Sequence, residues 1–362
     1  MIVLNVTLDN IYGFNEFNIN FTYPKKIVNS IIEEENLKYR PYFRYKKAVV
    51  LMGANATGKT SLGKALLKIF QYINSGNTLL LLDMVAADIV GTSEIDFVND
   101  NYVMHRLVAC IDATAASILL TYSYAEIEER DTYEKCVAKL KETEQSINTD
   151  AETLKKTLGE LKFRFAYPEI ETTLQIAGMK KDMLLRTMRA VIGTLDPTLT
   201  DVSVSKDLKD SFIIRRKGVE IIIRDGKLLN REILSGGTAE GVDVAIFLAS
   251  VLSETGNFYY CDDLFLHFQS DIEKRIFGIM LDSLGAGEQL VFTTHNTDML
   301  DLNLPKHSFA FLCRNEKHNP TTVMVRYASS ILKRNTDSIR CAVENDVFSS
   351  LPDDSLLDMF EK

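Results

Sequence analysis

The sequence predicts an α/β fold with N-terminal antiparallel strands and an inserted helical hairpin. Three observations carry this reading. Short apolar runs rich in β-branched residues recur near both ends of the chain, one of them passes into a helix through a glycine-rich turn, and between them lies a stretch of helical periodicity.

Taken in order, Val3, Leu4, Val6, Leu8 and Ile11, and then Phe17, Ile19 and Phe21, alternate with polar residues as half-buried strands do. A polar, lysine-rich connection (27–47) leads to Ala48-Val49-Val50-Leu51-Met52, a short apolar run followed by glycine, which predicts a buried strand. From Thr60 onward Leu62, Leu66, Leu67 and Phe70 fall at helical spacing, with Gly76 as the stop.

Between 125 and 195 the character changes. Val137, Leu140, Ile147, Ala151, Leu154, Leu158 and Leu161 recur at heptad-like intervals broken by Glu144, which predicts a short heptad helix. Pro168 interrupts it, and Leu174, Met179, Met183, Met188, Val191 and Leu195 continue to the Asp196-Pro197 stop. Periodicity fits a projecting arm and core-packed helices equally. Strands return at Ser211 to Ile214 and Val219 to Ile223, followed by a helix near Val242 to Leu252 and strands at Phe258 to Cys261 and Leu290 to Thr293. The expected organisation is an N-terminal core part, 1–124, an insertion, 125–197, and a C-terminal core part, 198–362.

Composition narrows the function classes. A chain of 362 residues, 46% hydrophobic, can bury a large core. No run reaches the roughly 18 apolar residues a bilayer span needs, and Met1 opens a strand-like run instead of a signal peptide, so a cytoplasmic protein is expected. The five cysteines, Cys110, Cys136, Cys261, Cys313 and Cys341, are widely spaced and fit neither a disulfide framework nor a zinc site. A net charge of -9 argues against a general nucleic-acid coat protein, while leaving room for a local basic face.

Four motifs carry chemistry. Gly53-Ala54-Asn55-Ala56-Thr57-Gly58-Lys59-Thr60 is a full G-x-x-x-x-G-K-T between the buried strand and the helix, with Ser61 next in the binding segment. The glycines let backbone N–H groups and the helix N-terminus face a triphosphate, Lys59 brings a point charge to it, and the Thr60 hydroxyl is offered to Mg²⁺. Phe258-Tyr259-Tyr260-Cys261-Asp262-Asp263 is an apolar strand ending in two carboxylates, Asp262 suited to a Mg²⁺ water shell and Asp263 to general-base work. Leu234-Ser235-Gly236-Gly237-Thr238 precedes a helix expected from about Gly241 and offers a hydroxyl and successive N–H groups to a second anion, although a plain capping loop has the same form. Leu290-Val291-Phe292-Thr293-Thr294-His295-Asn296 delivers His295 at a strand's carboxyl end, where it can contact the γ-phosphate or the attacking water.

In this order the four motifs resemble the ABC-type ATPases related to RecF, SMC and Rad50 proteins, and in particular the stand-alone AAA-like ATP-binding proteins of bacterial defence loci. The resemblance spans most of the chain and implies an ABC-ATPase-like P-loop core that binds ATP and Mg²⁺. It also implies a twofold homodimer in which Ser235, Gly236 and Gly237 of one copy clasp the ATP held by Gly53 to Thr60 of the other. The segment from Thr293 to Leu300 is similar to the family's threonine–histidine switch, and the expected helical insertion falls between P-loop and signature as in the family. Three departures stand out: Asp263 replaces the family's catalytic glutamate, which predicts slow hydrolysis; Thr238 stands where many ABC proteins have glutamine; and no Q-loop glutamine is recognisable. The stretch from Arg334 to Pro352 matches the family's closing segment only loosely.

Three functions follow as expectations. One is an ATPase that regulates a separate effector, a nuclease or toxin, in an anti-phage defence system. Another is a RecF-like DNA maintenance ATPase, with Lys180-Lys181 and Arg215-Arg216-Lys217 contacting DNA, although solvated faces explain those charges equally well. The third is an assembly scaffold that binds ATP with negligible turnover.

Overall fold

The computed structural model describes residues 1–28, 30–99, 101–147, 151–167, 176, 178–199, 201–205, 211–216, 219–224, 227–229, 231–315, 322–334 and 336–351. Residue contacts divide the chain into two units, one comprising Ile2–Leu161 with Thr297–Lys362 and the other Lys162–Asn296 with Met1.

The first unit opens with β1 (Ile2–Asp9) and β2 (Phe17–Asn20), antiparallel with Val6 opposite Ile19, as their alternation predicts. Within the lysine-rich connection stand β3 (Asn36–Leu37) and β4 (Arg40–Arg44). Phe43 and Tyr45 join Ile2, Leu4 and Met104 in one apolar cluster. Next come β5 (Ala48–Met52), buried at every residue, and α1 (Lys59–Ser75), which buries Leu62, Leu66, Ile69 and Phe70. Gly76 closes α1 at φ 70 with its N–H donating to the Tyr72 carbonyl, a left-handed cap that costs glycine nothing. After α2 (Leu79–Leu82) come three long antiparallel strands that the sequence reading did not foresee, β6 (Val90–Val98), β7 (Val103–Asp112) and β8 (Ser117–Glu126).

The region after β8 departs from the expected heptad helix. It contains α3 (Tyr133–Ala138), β9 (Lys141–Ile147) and α4 (Ala151–Leu158), with β9 paired antiparallel along β8. Burial of one large apolar side chain contributes about 1.5–3 kcal/mol, whereas helix propensities differ by only about 0.7 kcal/mol per residue. Residues 141–146 are all polar, so a helix there has no apolar stripe to bury, and the segment instead satisfies its backbone on the open edge of β8. The resulting six-stranded sheet has the order β2-β1-β6-β7-β8-β9. Pro168 and Leu174, expected to end the first helix and begin the second, lie outside the described residues.

The second unit contains β10 (Phe163–Ala166), α5 (Lys181–Leu195), β11 (Asp201–Val204), β12 (Ser211–Arg216), β13 (Val219–Arg224), β14 (Lys227–Leu228), α6 (Gly236–Leu252), β15 (Phe258–Asp262), α7 (Ser270–Ser283) and β16 (Gln289–Thr293). β10, β15 and β16 run parallel, and β11 to β14 form an antiparallel ribbon. The helix expected from about Gly241 instead starts at Gly236, because Ser235 caps it. α6 is buried nearly all round, and α5 packs against it closely: a Cβ on Gly241 would sit 2.4 Å from the Leu195 side chain. The second predicted helix therefore lies on α6 and does not project.

The chain then returns to the first unit with β17 (Phe309–Asn315), parallel to β5, and β18 (Thr322–Tyr327), antiparallel to β17. α8 (Ala328–Ile331) and α9 (Ile339–Glu344) follow, and Arg340 ties α9 to Asp298 and Asp301. No described helix is long and apolar enough to cross a membrane.

Candidate active site

In the first unit the segment from Gly53 to Thr60 is a tight loop between β5 and α1. Gly53 has φ 149, Ala56 φ 58 and Gly58 φ 99, all backbone that ordinary side chains rarely adopt. Both glycines are also demanded by space. A Cβ at Gly53 would lie 2.4 Å from the Leu312 carbonyl oxygen of β17, and one at Gly58 would lie 2.7 Å from the Phe14 ring. Thr57 is buried and donates its hydroxyl to the Ala54 carbonyl at 2.8 Å, and Arg314 of β17 donates to the Ala56 carbonyl at 2.9 Å.

The chemistry of this loop fits an anionic ligand. Lys59 is 5% exposed, and its ammonium donates to the carbonyls of Gly53 at 2.9 Å and Ala54 at 3.3 Å, which holds the charge over the loop. The N–H groups of Asn55, Ala56 and Gly58 make no hydrogen bond to another described group. Unmet donors at a helix N-terminus, beside a lysine, suit a phosphate chain. Thr60 and Ser61 stand in the first turn of α1.

In the second unit β15 and β16 bring Asp262, Asp263 and His295 together. Asp262 is fully buried, and its Oδ1 accepts the Thr293 hydroxyl at 2.8 Å. The same Thr293 oxygen accepts the Asp263 N–H at 2.9 Å, and the Thr293 carbonyl lies 3.3 Å from that N–H. These contacts hold Asp263 at φ 42, a left-handed conformation that aspartate tolerates better than most residues. His295 Nε2 lies 3.2 Å from Asp263 Oδ2, with the His295 side chain 37% and the Asp263 side chain 14% exposed. The pair thus reaches solvent through the imidazole, at a cleft also lined by Leu266, Phe268, Ser270 and Asn296.

The turn that carries His295 is fixed by Glu273 of α7, a residue absent from the motifs. Glu273 is 2% exposed and accepts the Thr294 hydroxyl at 2.7 Å and the Asn296 amide at 2.6 Å. A sequence signal for it exists: residues 273, 276, 277 and 280 form the buried stripe of α7, and a carboxylate in such a stripe requires partners.

Ser235 caps α6, its hydroxyl oxygen accepting the Thr238 N–H at 3.3 Å and sharing a 2.7 Å hydrogen bond with the Thr238 hydroxyl. Ser235 and Gly236 are exposed. A Cβ at Gly236 would meet the His267 ring at 3.6 Å, and one at Gly237 would meet the His267 backbone oxygen at 3.4 Å, so no steric clash within the chain requires glycine at either place. His267 is anchored through its N–H to Glu240 Oε2 at 2.9 Å, and burial raises the Glu240 carboxyl above the usual range. The Gly53–Thr60 loop belongs to the first unit, while Asp262, Asp263, His295 and the Ser235–Thr238 loop belong to the second.

No family profile matches the sequence, and no curated protein matches it either. Solved structures do match. An SMC head bound to the C-terminal winged-helix domain of ScpA has 12% identity and a TM-score of 0.54, over 92% of this chain and 100% of that one. An SMC head domain with an extended coiled coil, bound to the C-terminal domain of ScpA derived from Pyrococcus furiosus, has 10% identity and a TM-score of 0.54, over 92% and 98%. The recombination mediator protein RecF matches at 11% identity over 90% of this chain and 97% of that one, but its TM-score of 0.41 is too low to argue from. At these identities the likeness speaks for the fold alone, and the chain has the fold of the SMC head domains, an ABC-type P-loop ATPase fold.

Proposed function

We propose that the chain binds Mg-ATP and hydrolyses it slowly, working as two identical copies with each signature loop facing the phosphates held by the other's P-loop. The observation that supports this best is the Gly53–Thr60 loop, with its unmet N–H groups, its folded-in Lys59 and two sterically required glycines. Thr60 and Asp262 are the residues that would hold Mg²⁺, which would supply charge neutralisation at the phosphates. Asp263 is the general base, oriented by Thr293 and by its contact with His295. The exposed Gly236 and half-buried Gly237, neither of which meets a steric clash with a described group, suit close approach by a phosphate and a second copy.

The finer reading is a regulatory ATPase of a bacterial anti-phage defence system that controls a separate effector. It rests on the motif resemblance, and on analogy with the SMC heads, whose solved structures hold a bound ScpA domain. One observation favours a second reading, an assembly scaffold with negligible turnover: the short Asp263 carboxylate is already engaged by His295 at 3.2 Å.

Steady-state phosphate release separates the two. Asp263→Glu should hydrolyse ATP at least as fast as wild type, and Asp263→Asn should bind ATP, stop turning over and accumulate as an ATP-bound dimer on sizing. A positioned base contributes about 10² to 10⁴ in rate. Equal rates in all three proteins would remove Asp263 as the base and favour the scaffold.

A further inference from the structure

Far from the P-loop, the first unit contains a cleft whose lining the ATPase reading does not use. It has a volume of about 390 Å³ and lies between the face of β7 and β8 and the C-terminal end of α4. Its wall is a row of rings, His105 and Tyr122 6.0 Å apart between centroids and Tyr122 and Tyr124 6.4 Å, both pairs stacked at 21°, with the buried Phe97 behind His105 at 5.3 Å. Antiparallel register explains the row: His105 faces Phe97 on one neighbouring strand and Tyr124 on the other. One end is closed by Asn99, whose amide donates to the Leu158 carbonyl at the end of α4.

This position on a sheet face packed by a helix would ordinarily take aliphatic residues, because buried polar groups must be hydrogen-bonded. Instead His105, 7% exposed, spends Nδ1 on the Tyr122 hydroxyl at 2.8 Å. The half-buried Tyr124 hydroxyl and the exposed Asn101 amide make no hydrogen bond to another described group. Burial holds His105 down at about 4 and Tyr122 up at about 12, so these two side chains are neutral at physiological pH. Among the described residues that line the cleft there is no lysine, arginine or carboxylate. The volume is at the lower end of ordinary ligand pockets, which run from about 300 to 1,000 Å³.

We propose that this cleft is a second binding site, for a neutral planar heteroaromatic ring of nucleobase size, stacked on Tyr122 and Tyr124 and read at its edge by Asn101 and His105. It is separate from the phosphate loop. The cleft sits by the turn after Val98, which pairs with Ile2 at the start of β1, whereas Phe14, which packs on Gly58, follows the far end of β1. The seven residue steps from Ile2 to Asp9 span roughly 23 Å at strand rise.

The test is a calorimetric titration of the full chain with adenosine, guanosine, cytidine and uridine, which have no phosphate for the P-loop to hold. At least one nucleoside should bind wild type and Lys59→Ala equally. Tyr124→Ala should weaken that binding by roughly fivefold to a hundredfold, the usual worth of one base–aromatic stack. Tyr124→Phe should bind like wild type, and Asn101→Ala should change the preference among the four bases. Thermal melts matching wild type establish that the variants are folded, which half-buried and exposed positions favour. Absence of binding by all four nucleosides at millimolar concentration would overturn the proposal, as would binding that survives Tyr124→Ala but fails in Lys59→Ala.

Discussion

Replacing Thr293 with valine preserves the shape of a residue that is 1% exposed and removes a single oxygen. That oxygen donates to Asp262 Oδ1 at 2.8 Å and accepts the Asp263 N–H at 2.9 Å. A hydrogen bond to a charged acceptor contributes about 1.5–3 kcal/mol. The Asp263 N–H keeps the Thr293 carbonyl at 3.3 Å, so its loss adds less than about 1 kcal/mol. The expected destabilisation is therefore about 1.5–4 kcal/mol, a large share of the roughly 5–15 kcal/mol typical of a folded domain. For a urea m value of about 2–3 kcal/mol/M, the unfolding midpoint falls by roughly 1 M. Turnover should fall by about tenfold to a hundredfold, because the two carboxylates lose their common anchor and a small misplacement of reacting groups is costly. Thr293→Ser retains the hydroxyl and should stay close to wild type in both measurements. Urea unfolding followed by circular dichroism, with phosphate release on the same preparations, checks this. A valine variant that unfolds at the wild-type midpoint and hydrolyses ATP at the wild-type rate would refute the assignment of Thr293 as the anchor.

Ser235→Arg should fold and bind ATP yet abolish turnover. The lost cap costs about 1 kcal/mol in a thermal melt, and normal hydrolysis would contradict the signature reading. His105 supplies a pH dependence. Burial lowers it from 6.5 to about 4 in the folded chain, so the unfolded chain takes up the proton first as pH falls, and stability present above 6.5 is lost on the way down to about 4. At pH 5 the loss from this group is about 2 kcal/mol. His105→Phe should be more favourable relative to wild type at pH 5 than at pH 7 by that amount in urea midpoints, and a pH-independent difference would show that His105 is not buried neutral.

Local chemistry was the legible part of the sequence. The glycine loop between β5 and α1, the capped α1, and the strands leading to Asp262 and His295 each depend on a few adjacent residues, and they formed where apolar runs and glycines indicated. What escaped depends on distant partners. β6 to β8 are stabilised by one another, and β9 forms because β8 offers an edge, so heptad-like spacing around polar residues 141–146 misled. Likewise Gly58 is required by Phe14 and Gly53 by Leu312, neighbours no local pattern reveals. Glu273 was visible only as a carboxylate in an apolar stripe, and its role becomes clear once Thr294 and Asn296 are seen to donate to it. α6 began five residues earlier than expected, at Gly236 instead of Gly241, because the Ser235 cap admits both glycines into the first turn.

The most direct test of the central claim is a calorimetric titration of ATP with magnesium into wild type and Lys59→Ala. Wild type should bind saturably and the variant not at all, because the substitution removes the only cationic side chain within the Gly53–Thr60 loop, where charge-assisted contacts are about twice as strong as neutral ones. Equal ATP affinity in the two proteins would contradict it.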